Sequence, residues 1–297
     1  MQSYLILLLS TLLATGKALF CKALGTGRYS KKETALLNFK ALLVAFVCSL
    51  FFVIGEIDGL LRISGFSLIL SLTFGASVAF TQVMQTKAMG SGPASIVTLI
   101  YSCGFLVPIF YGLAFWSERV SPWQWGGMLL LLVALWLIVC KREKRDASFA
   151  WLPFAVVAML GSGTNAILQK THQYSAFSDE LRLFLVYSLF FSSLFTGVAS
   201  LLIREARKSR QDEQAPRERL KKAVVPLCLG VCVGTLNFSN LYLSGRLPSV
   251  ILFPIYNVGS MLLTVMISAL IYRDQPTKRQ RVGFLLGIIA ILIVGML

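Results

Sequence analysis

The chain has 297 residues, of which 56% are hydrophobic and only 14% charged, with a formal net charge of +15. A soluble domain carries charge on about a quarter of its residues, and no single soluble core could hide this much apolar surface. A transmembrane β-barrel would show short alternating segments, which are absent, and the basic residues sit in connectors between apolar runs rather than in a patch for nucleic acid.

Ten apolar runs follow one another, at about 3–24, 35–55, 66–88, 93–116, 122–140, 150–171, 181–203, 223–243, 248–272 and 280–296. Each is long enough for a bilayer core, which takes about twenty residues in a helix. The fold class expected is therefore an all-α membrane protein with ten transmembrane helices. The first run lacks a basic leader and has the length of a span, not of a signal peptide. The stretch 204–222 carries eight basic and four acidic residues with Pro216 and reads as a solvated cytoplasmic loop. Connectors after odd-numbered runs, with their margins, hold 20 Lys and Arg against 5 after even-numbered runs. Positive charge marks the cytoplasmic side, so both termini are expected outside a cell membrane.

The two halves of the chain repeat. Gly92-Pro93-Ala-Ser-Ile-Val-Thr-Leu-Ile-Tyr101-Ser-Cys-Gly104 matches Leu247-Pro248-Ser-Val-Ile-Leu-Phe-Pro-Ile-Tyr256-Asn-Val-Gly259 at an offset of 155 residues (93 to 248). At that offset Gln82 and Gln85 fall on Asn237 and Asn240, and Gly75 falls on Gly230. Beyond it, Glu118, Ser121, Gln124 and Gly127 fall on Asp274, Thr277, Gln280 and Gly283, now 156 apart (118 to 274). Ser121 with Gln124, and Thr277 with Gln280, have the spacing of capping boxes that open the last helix of each half; Pro122 sits at the first helical position, where it costs least. Two units are expected, 1–142 and 149–297, each of five helices. Five is odd, so they enter the membrane from opposite sides, the inverted-repeat plan of many secondary transporters.

With these residues in view, the chain resembles the drug/metabolite transporter superfamily of EamA type. Trp116-Ser117-Glu118-Arg-Val-Ser121-Pro-Trp-Gln124-Trp-Gly-Gly127 is similar to the pattern that closes each half in that family, and Tyr272-Arg-Asp274-Gln-Pro-Thr277-Lys-Arg-Gln280-Arg-Val-Gly283 is similar with Asp in place of Glu. The resemblance implies a secondary transporter of small metabolites, often an exporter, with a pocket lined by both halves.

Polar groups within a span are functional candidates by default. The expected substrate-binding set is Lys17 in the first run, Gln82 and Gln85 in the third, Tyr101 in the fourth, Asn165 and Gln169 in the sixth, Asn237 and Asn240 in the eighth, and Tyr256 with Asn257 in the ninth. The bland alternatives are interhelical hydrogen bonds for the amides and snorkelling for Lys17 and Lys40. Glu118 and Asp274 are expected to orient the turns they sit in. The lone histidine, His172, ends a run and reads as interfacial. No carboxylate lies mid-span, and Lys17 among amides suits an anionic or amino-acid-like solute. No cofactor or metal site is expected, since the six cysteines lack the spacing and partners of a ligand set. The partners expected are lipid, a small solute and, for coupling, a proton or counter-substrate; the chain would work as a monomer or homodimer, not on nucleic acid. An integral-membrane enzyme or a non-transporting scaffold or receptor are the competing classes.

Overall fold

The computed structural model describes residues 2–25, 29–53, 62–92, 94–139, 149–203, 216–272 and 277–295. Asp274 and residues 204–215 of the charged loop lie outside them. The described residues form eleven α-helices and no strand: α1 (Gln2–Gly25), α2 (Lys31–Leu50), α3 (Gly65–Ser91), α4 (Ala94–Ser102), α5 (Leu106–Phe115), α6 (Pro122–Val139), α7 (Leu152–Gln173), α8 (Leu181–Leu202), α9 (Pro216–Ser244), α10 (Ser249–Tyr272) and α11 (Lys278–Gly295). Among the described residues, seven helical segments are long and apolar enough to cross a membrane, and two further apolar helices are shorter. A 24-residue helix such as α1 spans about 36 Å, which exceeds a hydrocarbon core of about 30 Å.

The distribution of side chains suits lipid. Leu5, Leu8 and Leu12 on α1, Leu129, Val133 and Trp136 on α6, and Leu285, Ile288 and Leu292 on α11 are exposed at three- to four-residue spacing, which lays a continuous apolar stripe along each helix. Many buried side chains are Ser, Thr, Asn and Gln. Several buried hydroxyls return to the carbonyl one turn back, as in Thr11 to Leu7 (2.8 Å), Thr15 to Thr11 (2.8 Å) and Ser188 to Phe184 (2.6 Å), so they stay satisfied without water. The coarse architecture is thus an all-α membrane protein.

Local chemistry explains where elements begin and break. Ser30 and Glu33 form a reciprocal capping box that starts α2, a signal absent from the hydropathy pattern. The run 93–116 is interrupted by a 3₁₀ turn, Cys103–Phe105. Pro108 has no N–H to give the carbonyl of Gly104 four residues back, and the helix tightens there. Helix α9 starts at Pro216, well ahead of the apolar run expected from 223. Proline tolerates a helix start, and Lys222, assigned above to the loop, lies in the helix and donates to Glu33 of α2 (2.6 Å).

The most extensive helix contacts all join α1–α6 to α7–α11. Helix α2 lies against α8 and α9, α3 against α7 and α8, α1 against α9 and α10, and α6 against α11. Glycine permits two of these approaches. A Cβ on Gly75 of α3 would stand 2.6 Å from the Ser188 carbonyl of α8, and one on Gly230 of α9 would stand 2.4 Å from the Ala41 carbonyl of α2. No side chain larger than hydrogen fits either crossing without moving backbone.

Candidate functional site

Two polar centres are built around the lysines of α1 and α7. The first is a small internal cavity of about 30 Å³, lined by Lys17 of α1, Gln85 of α3, Thr98 and Tyr101 of α4, and Tyr256 and Asn257 of α10. Lys17 lies eight residues, about 12 Å, from the end of α1, too deep for its side chain to reach that end. Its ammonium instead donates to the Tyr101 hydroxyl (3.1 Å). Among the described residues no carboxylate pairs with Lys17. Gln85 is 2% exposed and its carbonyl oxygen has no hydrogen-bond partner. The Asn257 amide donates to the Phe253 carbonyl one turn back (3.0 Å).

The structure does not bring the other expected amides to this cavity. Gln82, one turn from Gln85, donates to Asn38 of α2 (3.3 Å), which also accepts from Thr86 (3.0 Å), and Cys21 of α1 lies 3.9 Å from the Gln82 amide. Gln169 of α7 donates to Asn237 of α9 (3.0 Å), which itself donates to the Val233 carbonyl (2.8 Å). Asn165 donates to Thr81 of α3 (3.5 Å). The carbonyl oxygens of Asn165 and Asn240, like that of Gln85, are buried without a partner. Gln82, Gln169 and Asn237 therefore hold helices together. Lys40 is exposed on α2.

The second centre lies at one end of the bundle and ties the turn after α5 to α7 and α10. Ser117 has φ 51°, a left-handed conformation uncommon outside glycine, and it turns Glu118 back over Gly112. The N–H groups of Trp116 and Glu118 both donate to the Gly112 carbonyl (3.0 and 3.1 Å), and a Cβ on Gly112 would collide with the Glu118 carboxylate at 2.6 Å. That carboxylate forms an ion pair with Lys170, which is 0% exposed, and accepts the Ser249 N–H at the start of α10 (3.1 and 3.3 Å to its two oxygens). A negative charge at a helix N-terminus is stabilising. The Lys170 ammonium also donates to the Ser249 hydroxyl (2.7 Å) and lies 5.3 and 5.5 Å from the stacked rings of Trp116 and Tyr174. Burial and the nearby Glu118 carboxylate push the Tyr174 phenol up from its ordinary pKa. Lys170 was visible in sequence only as a neighbour of Gln169, and its pairing with Glu118 spans 52 positions.

At the same end His172 is fully buried, where an interfacial placement was expected. It stacks on Phe184 (4.2 Å) and its Nε2 lies 3.2 Å from the Ser67 hydroxyl. Glu180 accepts the Ser64 hydroxyl (2.7 Å) and backbone N–H (3.2 Å) at the start of α3. The opposite end holds the Lys222–Glu33 pair and a close approach of α1 to α3, where a Cβ on Gly90 would meet the Gly25 carbonyl at 2.6 Å.

The turn residues act as caps. Ser121 N–H donates to Gln124 (3.0 Å) and Gln124 N–H to the Ser121 hydroxyl (3.2 Å). Thr277 and Gln280 repeat this at 3.0 and 3.3 Å, and Gln280 also donates to the Ile138 carbonyl of α6 (3.1 Å). Gly127 and Gly283 face the opposite helix of the α6–α11 pair, where added Cβ atoms would stand 2.7 Å from Val294 and 2.8 Å from Ile138.

No family model and no curated protein matches this chain. A protein solved by crystallography, described only as a protein, is similar over 99% of this chain and 96% of its own, with a TM-score of 0.77 and 12% sequence identity. At that identity the likeness establishes a shared fold and carries no activity across.

Proposed function

We propose that the chain is a secondary transporter of a small anionic or amino-acid-like metabolite, working by alternating access as in the EamA-type drug/metabolite transporters it resembles. Taking α4 and α5 as one interrupted span gives ten spans in two inverted sets of five. The packing supports this reading, because its contacts exchange in pairs: α2 meets α9 as α8 meets α3, and α1 meets α9 as α7 meets α3. Gly75 and Gly230, matched by the sequence offset, serve the two crossings of the first exchanged pair, α3 on α8 and α9 on α2.

The observation that carries the solute class is the Lys17 ammonium in the cavity, with no carboxylate beside it among the described residues. An unbalanced charge inside a membrane protein is expensive and marks a pathway. A cavity of about 30 Å³ takes a water-sized guest, so a metabolite enters only when the helices part. The ion pair and helix cap at Glu118 close one end, and the Gly25–Gly90 approach narrows the other. The excess of Lys and Arg in odd-numbered connectors orients the Glu118 end outward and both termini outside the cell membrane, and export is the direction proposed.

The test is flux of labelled carboxylates and amino acids through proteoliposomes. Lys17→Gln is expected to lower flux of the transported solute by about tenfold or more, since it removes a charge-assisted contact. Lys40→Gln, on the exposed face of α2, leaves it unchanged. Equal flux in Lys17→Gln and the unaltered protein across the whole panel overturns the assignment.

A further inference from the structure

The cavity brings together two groups that the protein leaves unmatched, a charge and a buried acceptor. Lys17 supplies one positive charge, and the other lining groups named above are neutral. A guest with one negative charge balances the site. A net-neutral zwitterion leaves it with the same excess charge as before, and a dianion reverses the excess. Burying such an imbalance in a low-dielectric interior is costly, so charge balance favours a monoanion.

The second unmatched group is the Gln85 carbonyl oxygen, buried and without a donor. Gln82 on the same helix has its amide engaged by Asn38, so the sequence is able to satisfy a glutamine in this helix and leaves Gln85 open. Native proteins keep few such groups, and each calls for an explanation. A solute donor that reaches this oxygen once the helices part satisfies it. The donor has to be neutral, a hydroxyl or amide N–H, because an ammonium would bring a second positive charge beside Lys17.

We propose that Gln85 is the specificity-determining residue of this cavity, selecting among monoanionic carboxylates held by Lys17 those that carry a neutral hydroxyl or amide N–H donor next to the carboxylate. This rests on the reading of the cavity as the solute site. It narrows the solute class to hydroxycarboxylates and their amide analogues, and sets free amino acids aside.

The test uses three probes on one three-carbon carboxylate skeleton with the purified full chain in nanodiscs: propionate, which has no donor, lactate, which has a hydroxyl, and alanine, which has an ammonium. Titration calorimetry is expected to show lactate binding about tenfold or more tighter than propionate, the scale set by satisfying one otherwise orphaned buried acceptor, and tighter than alanine. Gln85→Met keeps the volume and removes the acceptor. It is expected to bring lactate down to the affinity of propionate while propionate binds as before, which a general loss of structure would not do. Should Gln85→Met fail to fold, Gln85→Asn, which draws the amide back by one methylene, is expected to shrink the same ratio. Lactate and propionate binding equally to the unaltered protein, or a lactate preference that survives in the Gln85 variant, overturns the role of Gln85. Alanine binding as tightly as lactate overturns the charge argument. Binding of no carboxylate, or binding unaffected by Lys17→Met, shows instead that the cavity is not an anion site, and the inference falls with that reading.

Discussion

The lysines of α1 and α7 both sit inside helices of a membrane protein, yet they are treated in opposite ways. Lys170 has a carboxylate, a hydroxyl and two aromatic rings around it. Lys17 has one tyrosine, met through its hydroxyl and with its ring 5.4 Å away, and a cavity; no carboxylate among the described residues pairs with it. A cation whose partners are complete has nothing left to offer a ligand, and its work is to hold α7, α10 and the turn before α6 in one arrangement. A cation whose partners are incomplete costs stability in the resting state and retains its attraction for a visitor. Depth and charge are therefore poor guides to function on their own; the state of satisfaction separates the two.

The largest expected effect falls on the satisfied centre. Glu118→Gln leaves Lys170 buried without its counter-charge and is expected to destabilise by about 3–5 kcal/mol, read as loss of thermal stability in detergent. The double variant Glu118→Gln with Lys170→Met recovers part of that loss, since no buried charge remains. If Lys17→Met destabilises as much as Glu118→Gln, the contrast between the two lysines is broken. A smaller effect tests the same contrast in the amides of α3. Gln82→Leu removes an interhelical hydrogen bond and is expected to cost about 0.6 kcal/mol, the average for such bonds in membranes. Gln85→Met, which removes an orphan, is neutral or stabilising by the same assay. The smallest destabilisation belongs to Lys222 and Glu33, whose side chains are 21% and 36% exposed. Lys222→Met is expected to cost less than about 0.5 kcal/mol, as for most solvent-exposed pairs, and an effect as large as that of Glu118→Gln would mean that this end, too, is closed by a charge.

Much of the helical architecture was legible because hydropathy and spacing are local. The capping hydrogen bonds at Ser121–Gln124 and Thr277–Gln280 follow from a three-residue interval alone. The α2 box, Ser30 with Glu33, has the same interval but lies ahead of the apolar run, which starts at residue 35. The break at Cys103–Phe105 had a signal in Pro108, four residues after the carbonyl it cannot serve. The candidate site was only partly legible. Lys17, Gln85, Tyr101, Tyr256 and Asn257 meet at the cavity, whereas Gln82, Gln169 and Asn237 turn to neighbouring helices. Gln82 and Gln85 are three apart, within one helical face as sequence measures it, and the structure divides that face between Asn38 and the cavity. Which side of a face is spent on a neighbour depends on the rotation of helices distant in sequence. The pairing of Glu118 with Lys170 was unreadable for the same reason.

The crossed packing of α1–α6 with α7–α11 also bears on how the protein is made. A ribosome delivers α2 and α3 to the membrane long before α8 and α9 exist, so the first helices must wait in lipid with their glycine-permitted crossings to those helices, at Gly75 and Ala41, still vacant. What they can form at once is the hydrogen-bonded group of Cys21, Asn38, Gln82 and Thr86, drawn entirely from α1, α2 and α3. That group would hold the early helices in register during the wait. Glu118 must stay unpaired until Lys170 emerges, which makes closure of the ion pair a late event in biogenesis, dependent on the arrival of α7.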